Sequence, residues 1–227
     1  MSTKITKIVA MSALGFMPLA LTAAEQVLEV KDYQGISLGV GLIANISCGD
    51  TNTLTIKGDK KSVDNVKVLI EDNVLQIKRK STFSKIFDNL TNKNGGDSEV
   101  TVDIITTGQL SAIELSTGSQ TKVADCAINT SSLAIDMSTG ATARVEGTTA
   151  HLDLDMSTGS TFNARTANFT ADIVNLDMST GATANLCNSQ TVSGDASTGV
   201  TVYVKDSADV ENLDLSLGAN TSSRRCQ

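Results

Sequence analysis

The stretch Leu152-Asp153-Leu154-Asp155-Met156-Ser157-Thr158-Gly159-Ser160-Thr161-Phe162 decides the fold. Apolar and polar residues alternate up to Met156, a small Ser-Thr-Gly tripeptide follows, and the pattern then resumes. Period-two alternation puts successive side chains on opposite faces of a strand, and glycine lets the chain turn sharply between two strands. The tripeptide recurs at Ser116-Thr117-Gly118, Ser138-Thr139-Gly140, Ser179-Thr180-Gly181 and Ser197-Thr198-Gly199, with a degenerate sixth copy at Ser216-Leu217-Gly218. The Ser-to-Ser steps are 22, 19, 22, 18 and 19 residues, averaging 20. A strand of five or six residues spans about 17–20 Å, so about 20 residues make roughly three short sides with their corners. The period therefore predicts an all-β solenoid whose coils stack at about 4.8 Å. A sandwich of hairpins would explain the strands but not the same corner in every coil.

Composition agrees with this reading. The chain has 227 residues, 40% of them hydrophobic and only 3% aromatic, with no Trp. Inward Leu, Ile, Val, Met and Ala can fill a solenoid without aromatics. The single Pro is Pro18, so the repeats keep every backbone N–H for the ladders. The first 24 residues read as a secretory signal peptide: Lys4 and Lys7 precede an apolar Ile8–Ala23 run that ends in small residues. Its removal leaves 16 basic against 25 acidic side chains, a mature charge of −9. Residues 25–98 carry 10 of each sign, so the whole excess lies on residues 99–227. An acidic chain is a poor match for nucleic acid, and no membrane span is expected after the signal.

Residues 25–227 read as one solenoid domain: the Ser-Thr-Gly coils of 111–227, preceded by less regular N-terminal coils in 25–110. There Ile36, Leu38, Val40, Leu42, Ala44 and Ile46 form one alternating run, and Asp72-Asn73 marks a turn. Residues 80–98 read as an irregular loop in which Phe83, Ile86 and Phe87 could seal an end of the core. Cys48, Cys126, Cys187 and Cys226 allow three disulfide pairings, and no C-x-x-C pair suggests a metal or redox site.

Tyr33-Gln34-Gly35-Ile36, Leu54-Thr55-Ile56-Lys57-Gly58-Asp59, Asp72-Asn73-Val74-Leu75-Gln76-Ile77 and the Asp-x-Ser-(Thr)-Gly-Ala-Thr corners resemble a bacterial secreted family, the autotransporter adhesins with a head GIN domain. The family's corners usually read Ser-Gly-Ala-Ser, so the inserted Thr is a departure. The resemblance implies a right-handed parallel β-helix and an adhesin-like role, and it brings no catalytic residues.

One polar feature is strictly periodic. Two residues before each corner Ser stand Glu114, Asp136, Asp155, Asp177, Asp195 and Asp214, predicted to point outward in a single row. Stacked at about 4.8 Å, neighbouring carboxylates repel by roughly 0.9 kcal/mol in bulk water, so the row needs a compensation. Either each carboxylate caps its own corner, or the row is a cation face suited to Ca2+. It lacks the glycine-rich nonapeptide of calcium β-rolls.

Thr142, Thr161, Thr183 and Thr201 form a second outward row, broken by Arg144, Asn163, Asn185 and Tyr203 as the next outward residues. That mixture favours a strand-forming role over a water-ordering face. Gly35-Ile36-Ser37-Leu38-Gly39 matches a nucleophile elbow in letters only, being embedded in alternation, and His151 is the only histidine. Tight, similar corners leave no loop to wall a cleft, which disfavours a polysaccharide-active β-helix enzyme. The expectation is a periplasmic, secreted or cell-surface module without enzymatic activity, binding a surface protein or polysaccharide. An envelope structural protein that binds divalent cations is the alternative.

Overall fold

The computed structural model describes residues 23–80, 99–163 and 168–226. Most of the signal-peptide reading and the Phe83, Ile86 and Phe87 loop lie outside the described residues. In chain order the strands are β1 (Ala23–Glu29), β2 (Gly35–Leu38), β3 (Leu42–Cys48), β4 (Thr53–Asp59), β5 (Val66–Glu71), β6 (Val74–Arg79), β7 (Val100–Thr106), β8 (Ala112–Leu115), β9 (Gln120–Val123) and β10 (Asn129–Met137). There follow β11 (Thr142–Val145), β12 (Gly147–Met156), β13 (Thr161–Phe162), β14 (Phe169–Met178), β15 (Thr183–Asn185), β16 (Ser189–Ala196), β17 (Thr201–Tyr203), β18 (Leu213–Leu215) and β19 (Asn220–Ser222). A short helix, α1 (Lys60–Asp64), joins β4 to β5, and its N-cap Asp59 accepts from the Ser62 N–H at 3.0 Å.

Two sheets carry the chain. One runs β1-β4-β7-β3-β9-β11-β13-β15-β17-β19, and the other β18-β16-β14-β12-β10-β8-β2-β6-β5. From β8 onward each coil gives one strand to each sheet, and the paired strands are parallel. This is the stacked β-solenoid that the repeat predicts. Two of the three short sides share one sheet. Thr149 and Leu152 both point inward although three residues apart, and the ladder skips Ala150 between them. The same slip separates Ala171 from Val174 on β14.

The corners are rungs as well. Gly118, Gly140, Gly159 and Gly181 donate their N–H to the carbonyls of Thr139, Thr158, Thr180 and Thr198 in the next coil, at 2.8–3.0 Å. Their φ angles of +67°, +68°, +67° and +70° lie in the left-handed region, where glycine is strongly favoured.

Alternation packs the interior. Leu115, Met137, Met156, Met178 and Ala196 form one inward rank in the second sheet, and Val123, Val145, Phe162 and Val202 are buried from the first. Phe162 and Phe169 meet edge to face at 5.5 Å. A single buried cluster extends from Leu28 to Val204. The inserted Thr of each corner lies outside this core: Thr117, Thr139, Thr158, Thr180 and Thr198 are all exposed.

The N-terminal third departs from the sequence reading in two ways. Ile36 to Ile46 is not one strand, because Gly39-Val40-Gly41 is a corner: Gly41 has φ +64° and donates to the Thr117 carbonyl, and Val40 is exposed. The corner is hidden because Val40 keeps the alternation going in letters. Nor do the coils stack in chain order. β6 and β7 lie outside β2 and β3, and β1, β4 and β5 close that end with antiparallel pairings. Such a cap covers edges that a parallel coil would leave open.

Candidate functional site

The six periodic acids are brought together. Asp136 is in register with Glu114 on one side and Asp155 on the other, and the rank continues through Asp177 and Asp195 to Asp214. All six are exposed. Six rungs span about 24 Å at the interstrand spacing. Asp153 stands one step behind Asp155, and His151 one step further back, both on the same outward face of β12.

The corners do not use these carboxylates. Four of the six are closed by their own serine carbonyl: Ser119, Ala141, Ser160 and Ala219 donate their N–H to Ser116, Ser138, Ser157 and Ser216 at 3.0–3.1 Å. Ser119 and Ser160 add hydroxyl bonds to the same carbonyls at 2.6 Å. Among the described residues, no hydrogen bond or ion pair reaches the six carboxylates. Asp155 stands between Asp136 and Asp177 in the row. Partial burial, and then the charges of Asp177, Asp136 and Asp153, push the Asp155 carboxyl above its ordinary range. Among the described residues no three carboxylate, thiolate or imidazole groups converge on one point, so the acids form a single file and not a cage.

The opposite sheet has a different surface. Thr142, Thr161, Thr183 and Thr201 are in register and half-buried, as the spacing predicts. Asn163 and Asn185, expected outward beside them, are buried instead. Asn163 turns at φ +48° and accepts the Val145 N–H at 2.8 Å, and Asn185 accepts the Cys187 N–H at 3.2 Å. Their amides end strands, a role that alternation cannot register. Nearby, Ile43, Gln120 and Thr142 face Asn45, Lys122 and Arg144 across a shallow groove. Arg144 pairs with Glu146 at 3.1 Å, and Asp103 holds both Lys57 at 2.8 Å and Asn45 at 2.9 Å. That contact holds the Asp103 carboxyl below its usual range.

Ser37 is buried in mid-strand and pairs with Gln76 and Glu114, so it has no elbow geometry. His151 stands three strands away on β12. The cysteines resolve into Cys48–Cys126 and Cys187–Cys226, which sequence alone left open.

The architecture defines a parallel β-solenoid bearing a solvent-facing acidic file. Residues 32–208 match the family described as "putative auto-transporter adhesin, head GIN domain", and the chain belongs to that family. Its fold is similar to the crystal structure of a putative adhesin from Bacteroides fragilis, with a TM-score of 0.61 at 16% identity over 89% of this chain and 96% of that one. A putative adhesin from Parabacteroides distasonis gives 0.51 at 12% identity over 88% and 96%. No curated protein sequence matches the chain.

Proposed function

We propose that this chain is a non-enzymatic, adhesin-like binding module, exported to the periplasm or cell surface, that presents its acidic file to a cationic partner. The observation carrying this reading is the in-register rank from Glu114 to Asp214, exposed in every coil and compensated by no cation among the described residues. Membership of the adhesin family supports the binding role. Residues 1–24 as a signal peptide and two disulfides, which persist in oxidising compartments, support export. The continuous core supports one folding unit over 25–227. No helix among the described residues is long and apolar enough to cross a membrane.

The file itself favours a second reading, an envelope structural protein that takes up divalent cations. Two Ca–O distances of 2.3–2.6 Å add up to about one rung, so a Ca2+ ion can bridge neighbouring carboxylates. Water would complete its shell of 6–8 oxygens, which suits millimolar affinity. Calorimetric titration with CaCl2 and, separately, with poly-lysine tests both readings against an Asp155→Asn, Asp177→Asn double variant. Heat with poly-lysine that the variant loses supports the module, and heat confined to Ca2+ supports the structural reading. No heat with either probe rejects the acidic file as a binding face.

A further inference from the structure

The face opposite the acidic file carries cations and hydroxyls in register. Lys122 pairs with Arg144 on one neighbouring rung and with Asn45 on the other, and all three stand on the outward side of their strands. One step back along the strands, Ile43, Gln120 and Thr142 form a parallel row. The two rows wall a groove of about 360 Å³, a size that suits a small ligand or a short stretch of a longer chain. The row through Gln120 and Thr142 continues past the groove as Thr161, Thr183 and Thr201, one threonine per rung. The cations are not equally compensated. Arg144 shares its charge with Glu146 at 3.1 Å, and Lys57 is held by Asp103 at 2.8 Å. Lys122 makes no ion pair or hydrogen bond among the described residues, and it stands one rung from a like charge. The hydroxyls of Thr142, Thr161 and Thr183 likewise make no hydrogen bond among the described residues.

We infer that this groove takes an acidic polysaccharide, with a sugar carboxylate between Lys122 and Arg144 and ring hydroxyls along Gln120 and the threonines. Charge sets the sign of the ligand, because adjacent cations repel and an anion between them relieves both. Geometry sets its kind. β3, β9 and β11 are each paired on both sides, so a peptide has no strand edge to join here. The groove runs across the strands and offers side chains alone. They come as one polar group per rung of about 4.8 Å, close to the length of one pyranose ring in an extended chain. The acidic file does not forbid an anion on this face. Its carboxylates point away from the other sheet, and the sheets alone are about 10 Å apart, already one Debye length at about 0.1 M salt.

Calorimetric titration of the disulfide-intact chain with a polyuronate oligosaccharide tests this, in EDTA to remove divalent cations that bridge carboxylates. A neutral glucan oligosaccharide and poly-glutamate of similar length are the comparison probes. The polyuronate is expected to bind, with an affinity that falls severalfold between about 0.05 M and about 0.5 M NaCl. Lys122 is exposed, so Lys122→Gln should weaken binding about tenfold or more with an unchanged melting temperature. Glu146→Gln should tighten binding by releasing Arg144. Thr142→Val should weaken it severalfold while keeping a good strand former. The Asp155→Asn, Asp177→Asn variant should bind as the parent does, which separates this groove from the acidic file. No heat with the polyuronate, equal binding of poly-glutamate or the neutral glucan, indifference to Lys122→Gln, or loss of binding in the file variant would each overturn the inference.

Discussion

Asp155 is where the acidic file is felt by a single residue. Its carboxyl is held above the ordinary range by partial burial and by Asp177, Asp136 and Asp153, so the folded state disfavours its charge. A raised carboxyl pKa stabilises the fold below the unfolded value, and that contribution is lost as pH rises through the folded value. Asp155→Asn should therefore melt higher than the parent at neutral pH, and the gap should close on acidification past the carboxylate range. Asp103 acts with the opposite sign. Lys57 and Asn45 lower its pKa, so its contribution is present at neutral pH and is lost as pH falls through the folded value. Melting curves of parent and Asp155→Asn across acid pH check the first effect, and a gap independent of pH would show that the file does not sense itself.

Among the elements, the corners and the sheet glycines separate what alternation can reveal from what it cannot. The corner glycines were legible in the sequence, because a tripeptide repeated every 20 residues between alternating segments has few other meanings. Gly194 was not. It lies within β16 at φ +112°, and a Cβ there would sit 2.0 Å from the Leu176 carbonyl oxygen. At Gly159 a Cβ meets nothing within 4 Å, so only the left-handed backbone opposes substitution. Gly159→Ala should cost about 1–2 kcal/mol. Gly194→Ala should cost at least about 3 kcal/mol, because the backbone of β14 has to move. Urea unfolding of the two variants decides, and equal costs would contradict the close approach. Asn163, Asn185 and the Gly39-Val40-Gly41 corner escaped for a related reason. Asn163 and the glycine corner keep the letters of an alternating strand while the backbone turns, and Asn185 keeps them while its side chain folds in to accept the Cys187 N–H. The acidic file, by contrast, could be read residue by residue, since period and parity alone set its register.

For the molecule as a whole, the repeat specifies a stack of parallel coils but neither of its ends. β6 and β7 return outside β2 and β3, a non-local pairing that no local pattern encodes, and the antiparallel cap follows from it. The disulfides reinforce the non-local parts. Cys48–Cys126 spans 78 residues and ties the end of β3 to the turn before β10, and Cys187–Cys226 pins the tail that follows β19. Replacing Cys48 and Cys126 by Ser should lower stability by about 2–5 kcal/mol, read from denaturant midpoints of oxidised protein. No loss would mean that the cap holds without its staple. The central claim is that the acidic file is a face for positive charge, and thermal melting in CaCl2 against NaCl of equal ionic strength tests it most directly. An ion that binds only the folded state adds about 2.7 kcal/mol at a hundredfold excess over its dissociation constant, whereas screening alone treats both salts alike. A higher melting temperature is expected in millimolar Ca2+ or in poly-lysine than in matched NaCl, with the difference abolished in the Asp155→Asn, Asp177→Asn variant; identical melting in all three would contradict the claim.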